Sequence, residues 1–339
     1  IRYAAVGSAA AFADAWSKLA DPGQPAWFQY TSPVRHNSGH TAASDASQRG
    51  QQQAFGRNIA AGRGRPAGRP LTTELTPVAD SAAGPRAPAS TAARYLFVSD
   101  VHLDAAAPEG QRQFVEFIRA SSANPAVHGT GARALYILGD LFESWIGDDD
   151  ATEDRSAVLD ALRELTSSGV ACFLLHGNRD FLIGKDFCRR TGCELLPDPV
   201  VADIDGERVL LTHGDALCTD DRAYQELRSM VRSPVWQRRF LDLPLSDRQL
   251  LANEVRAGSR AHTARTIPKI MDVNAAAVTE AFKATRVRRI IHGHTHRPAV
   301  HDALVEGQPV QRIVLGAWYE QGSYLEYENG RYALRTLPR

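Results

Sequence analysis

Cysteine is scarce in this sequence: only Cys172, Cys188, Cys193 and Cys218 occur in 339 residues. They fall in no paired metal-ligand spacing and are too few for a disulfide framework, which excludes a small secreted scaffold and fits a reducing compartment. Net charge is missing too, since 39 basic residues balance 39 acidic ones. Without a basic excess the chain has no bulk electrostatic grip on DNA or RNA, and nucleic acid is not expected as a partner. No apolar run approaches the length of a membrane span, so any membrane contact is expected to be peripheral. What the chain does have is 43% hydrophobic residues, over a length that can hold one large domain or two smaller ones.

Residues 1–93 stand apart. Ala, Gly, Pro, Ser, Gln and Arg dominate, as in Gly62-Arg63-Gly64-Arg65-Pro66, and such a stretch buries too little apolar surface to offset the entropy of ordering it. A disordered extension is expected, with room for one short helix where Phe12, Trp16 and Leu19 are helically spaced. Its few acids and scattered arginines also resemble an organelle transit peptide. The opening Ile1 leaves a fragment or translated upstream sequence as further alternatives. On each reading the segment carries no catalysis, and a single domain is expected over 94–339.

From Arg94 onward short apolar runs recur, each ending in polar residues. Tyr95–Ser99 leads to Asp100-Val101-His102, and 134–138 leads to Gly139-Asp140. The run 171–175 leads to His176-Gly177-Asn178-Arg179, 208–212 to His213-Gly214-Asp215, and Ile290-Ile291 to His292-Gly293-His294-Thr295-His296. Runs of this length read as buried strands. Helical spacing over 110–122 reads as a crossover packed on the sheet, and over 154–168 as an amphipathic helix. In extended backbone residues i and i+2 share a face, so Asp100 with His102, and His294 with His296, are expected to aim paired ligands into one site. For a lone pair of histidines a solvated loop is the competing reading. Asp148, Asp149 and Asp150 read as a solvated loop or a helix N-terminus. His176 reads as a satisfied core histidine or one that supports the ligands, and His301 as a surface residue.

Together, in this order, the five strand ends resemble the calcineurin-like metallophosphoesterases, from Arg94 to the C-terminus. The resemblance implies an α/β fold, an αββα sandwich with a helical cap insertion over 220–270, and two divalent metal ions. One ion would be held by Asp100, His102, Asp140 and His296, the other by Asp140, Asn178, His213 and His294, with Asp140 bridging. Oxygen and imidazole ligands in this mixture suit Mn²⁺, and such a pair activates water against phosphorus.

Many members carry a histidine where this chain has Arg179. Arginine does not usefully give up its proton, so a leaving group that departs unprotonated is favoured, which points to a pyrophosphate. Longer strings, among them Ser99 to Asp104, Gly177 to Phe181, Cys218 to Asp221, Ile270 to Asn274 and Val314 to Trp318, are similar to the pyrophosphatases of lipid A synthesis. Those act on a UDP-linked, doubly acylated sugar. That similarity implies a lipid-linked nucleotide sugar as substrate, with Asp140, Asn178 and Arg179 catalytic. Substrate contacts would come from Asn178, Arg179, Asp221, Ser259 and His294, while Thr263 and Thr266 depart from the Asn and Lys of other members.

Between Asp221 and Lys269, apolar residues such as Tyr224, Leu227, Met230, Trp236, Phe240 and Leu251 interleave with Arg228, Arg232, Arg238, Arg239 and Arg248. This reads either as a helical subdomain with its own core or as a cap receiving two acyl chains. An arginine-rimmed apolar surface would also touch anionic lipid, placing the protein in the cytoplasm, peripheral on the inner face of the inner membrane. The competing functions are a general nucleotide pyrophosphatase or phosphodiesterase on the same fold, and a metal-free interaction scaffold. Loss of ligand residues would mark the scaffold, and none of the seven is missing.

Overall fold

Alternation along the strands decides the architecture. In β1 (Arg94–Val98), β2 (Ala134–Leu138) and β3 (Ala171–Leu175), Tyr95, Phe97, Tyr136, Leu138, Phe173 and Leu175 point one way. Leu96, Val98, Leu135, Ile137 and Leu174 point the other. The structure, a computed structural model, describes residues 94–122, 131–150, 155–265, 272–319 and 321–337, and of 258–265 the backbone alone. The extension over 1–93 lies outside the described residues.

β1, β2 and β3 pair in parallel, with β4 (Glu194–Leu195) beside β3. β10 (Gly322–Glu328) and β11 (Arg331–Leu337) add antiparallel strands on the other side, giving the order β11-β10-β1-β2-β3-β4. The second sheet runs β5 (Val200–Ile204), β6 (Glu207–Thr212), β7 (Arg289–His292), β9 (Gln308–Val314) and β8 (Ala299–Val305). Val209, Leu211, Ile291 and Ile313 of this sheet meet Phe97, Tyr136 and Phe173 of the first, and their shared burial holds the sheets face to face.

Each outer face is covered by helices. α1 (Pro108–Ala120) lays Phe114, Phe117 and Ile118, and α2 (Ser156–Ser167) lays Val158, Leu162 and Leu165, against Leu96, Leu135 and Leu174. α1 starts two residues before the expected 110 because Pro108 occupies its first turn, where its missing N–H and fixed φ cost nothing. α3 (Lys185–Thr191) follows β3. On the far side α7 (Ala275–Thr285) buries Ala281 and Phe282 against Leu210 and Ile290. Its Asn274 cap accepts from the Ala276 and Ala277 N–H groups at 2.8 and 3.1 Å, a cap worth about 1 kcal/mol. The result is the expected αββα sandwich.

After β6 and a single 3₁₀ turn (Asp215–Leu217), three helices interrupt the sheet: α4 (Arg222–Val231), α5 (Pro234–Leu241) and α6 (Leu245–Arg265). Phe240, Leu243 and Leu251 join the core of the first sheet's outer face rather than a core of their own. Three of the insertion's arginines do not rim its surface as expected. Arg248 is buried, donating to the Ile146 carbonyl at 2.7 Å and pairing with Asp149. Arg228 and Arg232 turn inward to Asp215. Among the described residues no helix is long and apolar enough to cross a membrane.

Candidate metal centre

The strand ends do not present their ligands by alternation. β1 ends at Val98 and β7 at His292, and the polar residues beyond them lie in left-handed turns: Asp100 (φ 54°), His102 (53°), Asp140 (54°), His294 (67°) and His296 (56°). The extended-backbone expectation for Asp100 with His102 and for His294 with His296 is therefore corrected. A positive φ costs a non-glycine residue of order 1–3 kcal/mol and persists only where surroundings fix it. Here they do. The Asp100 N–H donates to the Gly139 carbonyl at 3.1 Å, the His102 N–H to the Asp140 carbonyl at 3.0 Å, and the His294 N–H to Asp100 Oδ2 at 2.9 Å. Glycine permits the crowding: a Cβ at Gly177 would overlap Asp140, and one at Gly293 would overlap Ser99 and Asp100.

The turns send the two histidines to different neighbours. His296 Nε2 lies 3.3 Å from His102 Nε2 and 3.2 Å from Asp100 Oδ1. His294 Nδ1 lies 2.9 Å from Asn178 Oδ1, which is also 2.9 Å from His213 Nε2. Asp140 Oδ2 stands between the groups, 3.7 Å from His102 Nε2 and 3.8 Å from His213 Nε2. Two sets, Asp100 with His102 and His296, and Asp100 with Asp140 and His213, each hold ligand atoms within 4.8 Å of one another.

These donors fit divalent cations. Asp100 Oδ1 is buried without a hydrogen-bond partner, an expense a protein rarely sustains unless an ion meets it. The facing ring nitrogens of His102 and His296, 3.3 Å apart, can hydrogen-bond only when one carries a proton and the other does not, whereas a shared cation would satisfy lone pairs on both. Carboxylate, imidazole and amide oxygen form the donor set of hard to borderline ions rather than thiolate-seeking ones.

Further residues hold these side chains in place. Glu143 Oε2 sits 2.8 Å from His102 Nδ1, and the Leu138 carbonyl 2.9 Å from His213 Nδ1, so in both rings Nε2 is left facing the site. Asp198 accepts from the His213 N–H at 3.0 Å and the Thr212 hydroxyl at 2.7 Å. The Arg179 N–H donates to Asp140 Oδ1 at 2.7 Å, leaving Oδ2 for the site. Buried Asp180 accepts from the N–H groups of Gly177 (2.8 Å), Leu141 (2.7 Å), Asp140 (3.3 Å) and Phe142 (3.5 Å), tying the Asp140 and Asn178 loops together. Glu143 and Asp180 adjoin the polar strand ends in sequence, but neither was legible as a support because its partners come from other loops.

The field within the cluster is strong. Burial disfavours the His213 imidazolium, but Asp140, Asp100, Asp215 and Asp198 outweigh it and raise its pKa to about 9. Burial and the His213 charge push His294 down to about 4. Burial opposes ionisation of Asp100, yet the approach of His296 Nε2 to its Oδ1 at 3.2 Å and the charge of His213 hold it below the usual carboxylate range. The two rings are pushed in opposite directions, His213 by the carboxylates around it and His294 by its burial beside His213.

Other sequence expectations resolve as follows. His176 is half-buried and bonded through Nε2 to the Ile183 carbonyl at 2.7 Å, and His301 is exposed on β8. The acidic run is tied into the structure, with Asp149 exposed to solvent and Asp148 at a helix N-terminus. Asp148 accepts from the Gly184, Asp186 and Phe187 N–H groups at the start of α3, Asp149 pairs with Arg248, and Asp150 pairs with Arg155. Asp221 caps α4, accepting from the Tyr224 N–H at 3.0 Å. The side chains of Ser259 and Thr263, and all of Thr266, lie outside the described residues. Two aromatic residues that sequence reasoning did not connect to the site flank it: the Tyr224 ring lies 5.8 Å from that of His294, and the Tyr319 ring stacks on His102 at 5.0 Å.

A two-sheet sandwich with Asp, His and Asn donors converging from five turns defines a phosphoesterase. The chain belongs to the calcineurin-like phosphoesterase family, whose model matches residues 93–298. It is 47% identical over 243 residues to the UDP-2,3-diacylglucosamine hydrolase of Salmonella typhi, an alignment covering 72% of this chain and 98% of that one. Its identity to the UDP-2,3-diacylglucosamine hydrolase of Stenotrophomonas maltophilia is 45% over 251 residues, with the same coverage. Among solved structures it aligns with Yfce, a phosphoesterase from E. coli, at 16% identity and a TM-score of 0.33, covering 72% of this chain and all of that one. Family and donor groups together assign divalent metal ions to this site.

Proposed function

We propose that this chain hydrolyses the pyrophosphate bond of UDP-2,3-diacylglucosamine, giving UMP and 2,3-diacylglucosamine 1-phosphate in lipid A biosynthesis. The observation that carries the reading is its 47% identity to hydrolases of that name along 98% of their length, in a chain that keeps all seven metal-ligand types. In this reading residues 94–339 are the catalytic domain, 220–270 its cap, and 1–93 contribute nothing to turnover.

Asp100, His102, Asp140 and His296 would hold one ion and Asp140, Asn178, His213 and His294 the other, both Mn²⁺. Bound there, the pair supplies an acidified water and neutralises charge on the attacked phosphoryl group. The protein's own groups do the positioning. Glu143 and the Leu138 carbonyl fix the rings of His102 and His213, and the Arg179 N–H turns Asp140 Oδ2 toward both groups. The Arg179 guanidinium would fork onto phosphoryl oxygens, with Asn178, Asp221, Ser259 and His294 completing the head-group contacts. A water oxygen bonds to the phosphorus nearer uridine as the bridging P–O bond breaks. The electron pair leaves on the sugar 1-phosphate, and the water's proton passes to solvent. The departing phosphate needs no proton, which matches an arginine at position 179.

The acyl chains would lie under α4 to α6. Val235, Leu241, Leu245 and Val255 of α5 and α6 are exposed apolar side chains, and Arg238 is exposed beside them, so this face would rest on the inner leaflet from the cytoplasm. Incubation with Mn²⁺ and UDP-2,3-diacylglucosamine should release UMP, with far slower cleavage of UDP-N-acetylglucosamine. Equal rates on the two would refute the substrate. Flotation with anionic liposomes at low salt tests the membrane contact, and absence of binding there would refute it.

A further inference from the structure

Tyr319 is the one aromatic residue among the exposed large apolar side chains of the described residues, at 56% exposure. Its position is not that of a loose loop side chain. The preceding Trp318 is buried, its ring packs edge-on against Phe114 and Phe117 at 5.4 and 5.5 Å, and its N–H donates to the Asp100 carbonyl at 3.1 Å. That anchor sets the Tyr319 ring over His102 at 5.0 Å with 19° between planes, and 5.3 Å from His296. Glu143 and Arg179 lie close enough for their charges to act on its phenol.

The donor cluster is therefore flanked by a tyrosine at each of its two groups. Tyr224, beside His294, donates its hydroxyl to Asp215 at 2.6 Å and belongs to α4, the first helix of the insertion. Tyr319, beside His102 and His296, belongs to the loop after β9, outside the insertion. A pyrophosphate diester between a doubly acylated sugar and a nucleoside has two ends of different chemistry. If the insertion receives the acyl chains, the nucleoside must leave the cluster from the other group. An exposed aromatic ring stacked on an imidazole there offers what a nucleobase requires, a flat π-surface beside the phosphoryl site.

We propose that Tyr319 is the stacking platform for the uracil base, a specificity-determining residue of the substrate's nucleoside end. The inference rests on the substrate reading above for the direction in which the nucleotide lies. Stacking a base on an aromatic ring changes affinity by roughly 5- to 150-fold.

The test compares UMP with ribose 5-phosphate, its base-free counterpart, as inhibitors of the full chain hydrolysing bis(4-nitrophenyl) phosphate in Mn²⁺. Wild type should bind UMP at least about 5-fold more tightly than ribose 5-phosphate. In Tyr319→Ala that ratio should fall toward one, and Tyr319→Phe and Tyr319→Trp should restore it. A merely structural role for Tyr319 would shift both inhibitors together and leave the ratio intact. An unchanged ratio in Tyr319→Ala, or no preference for UMP in wild type, overturns the proposal. Because this reporter carries neither base nor acyl chain, failure of the platform stays distinct from failure of the substrate reading, which shows instead as no UMP released from UDP-2,3-diacylglucosamine.

Discussion

Asp180 touches no donor side chain, yet the arrangement of the donors depends on it. Its Oδ1 accepts from the Gly177 and Asp140 N–H groups and its Oδ2 from those of Leu141 and Phe142, so one buried carboxylate fastens the turn that carries Asp140 to the turn that carries Asn178. Asp180→Asn keeps the shape and one acceptor. Its NH₂ must then face N–H donors on one side, removing one strong bond at 2.7 or 2.8 Å and one long bond near the geometric limit. A bond to a charged acceptor contributes about 1.5–3 kcal/mol, and the stranded donor costs about 1–3 kcal/mol more. Against this, burial and the charge of Asp140 push the Asp180 carboxyl above its ordinary range, so removing the charge returns part of the loss. The net expectation is a destabilisation of about 2–3 kcal/mol.

The second readout separates support from mere stability. If Asp180 registers the two turns, the variant's Mn²⁺ affinity should fall about 10- to 100-fold, the usual effect of losing a group that orients metal ligands. Urea unfolding of metal-stripped protein gives the first quantity, and calorimetric Mn²⁺ titration at a temperature where both proteins are folded gives the second. Loss of stability with unaltered Mn²⁺ affinity would refute the registering role. A change below about 0.5 kcal/mol would refute the hydrogen-bond reasoning itself.

Three further outcomes are expected. Asp140→Ala should abolish Mn²⁺-dependent turnover, since Asp140 Oδ2 is the atom between the two donor groups; near-normal activity at saturating Mn²⁺ would contradict the bridging assignment. Asp215→Asn and Arg228→Gln should each cost about 2–3 kcal/mol in urea unfolding, less than for a fully enclosed pair because Arg228 is partly exposed, and the double variant less than their sum; strict additivity would show that the 2.8 Å pair is not coupled. Burial and Arg312 depress His292 from 6.5 to about 3, so below pH 6.5 the unfolded chain takes up a proton that the folded chain refuses, and metal-free stability falls by up to about 1.4 kcal/mol per pH unit down to about pH 3. His292→Asn should remove that increment of slope between pH 6 and 4, and an unchanged slope there would mean that His292 is protonated in the folded state.

The sheets were legible because burial on both faces leaves short, continuous apolar runs: 134–138 and 171–175 are strands to the residue. The hairpins went unread although their turns are written plainly. Asp205-Gly206, Glu306-Gly307 and Asn329-Gly330 each place two successive residues at positive φ, the geometry of tight hairpin turns. Ligand types could be recognised, but not how they are aimed. Left-handed backbone at Asp100, Asp140, His294 and His296 follows from bonds between turns distant in sequence, and no local pattern carries that information. The insertion's arginines were misread for the same reason. Arg248 finds Asp149 across 99 residues, while Arg228 finds Asp215 across 13, so a stripe that reads locally as a basic rim becomes a set of internal ties.

Those ties connect the insertion to the donors physically. Asp215 lies two residues beyond His213, accepts from Tyr224 and Arg228 of α4, and has Arg232 at 3.8 Å. Arg232 in turn donates to the Gly177 carbonyl at 2.9 Å, one residue before Asn178. The first helix of the insertion therefore grips two of the five donor-bearing turns directly. A helical subdomain that merely packed on its own core would have no need of such contacts. A cap over the head group, as proposed above, would need them, because an error of about 1 Å between it and the reacting phosphorus would cost on the order of 100-fold in rate.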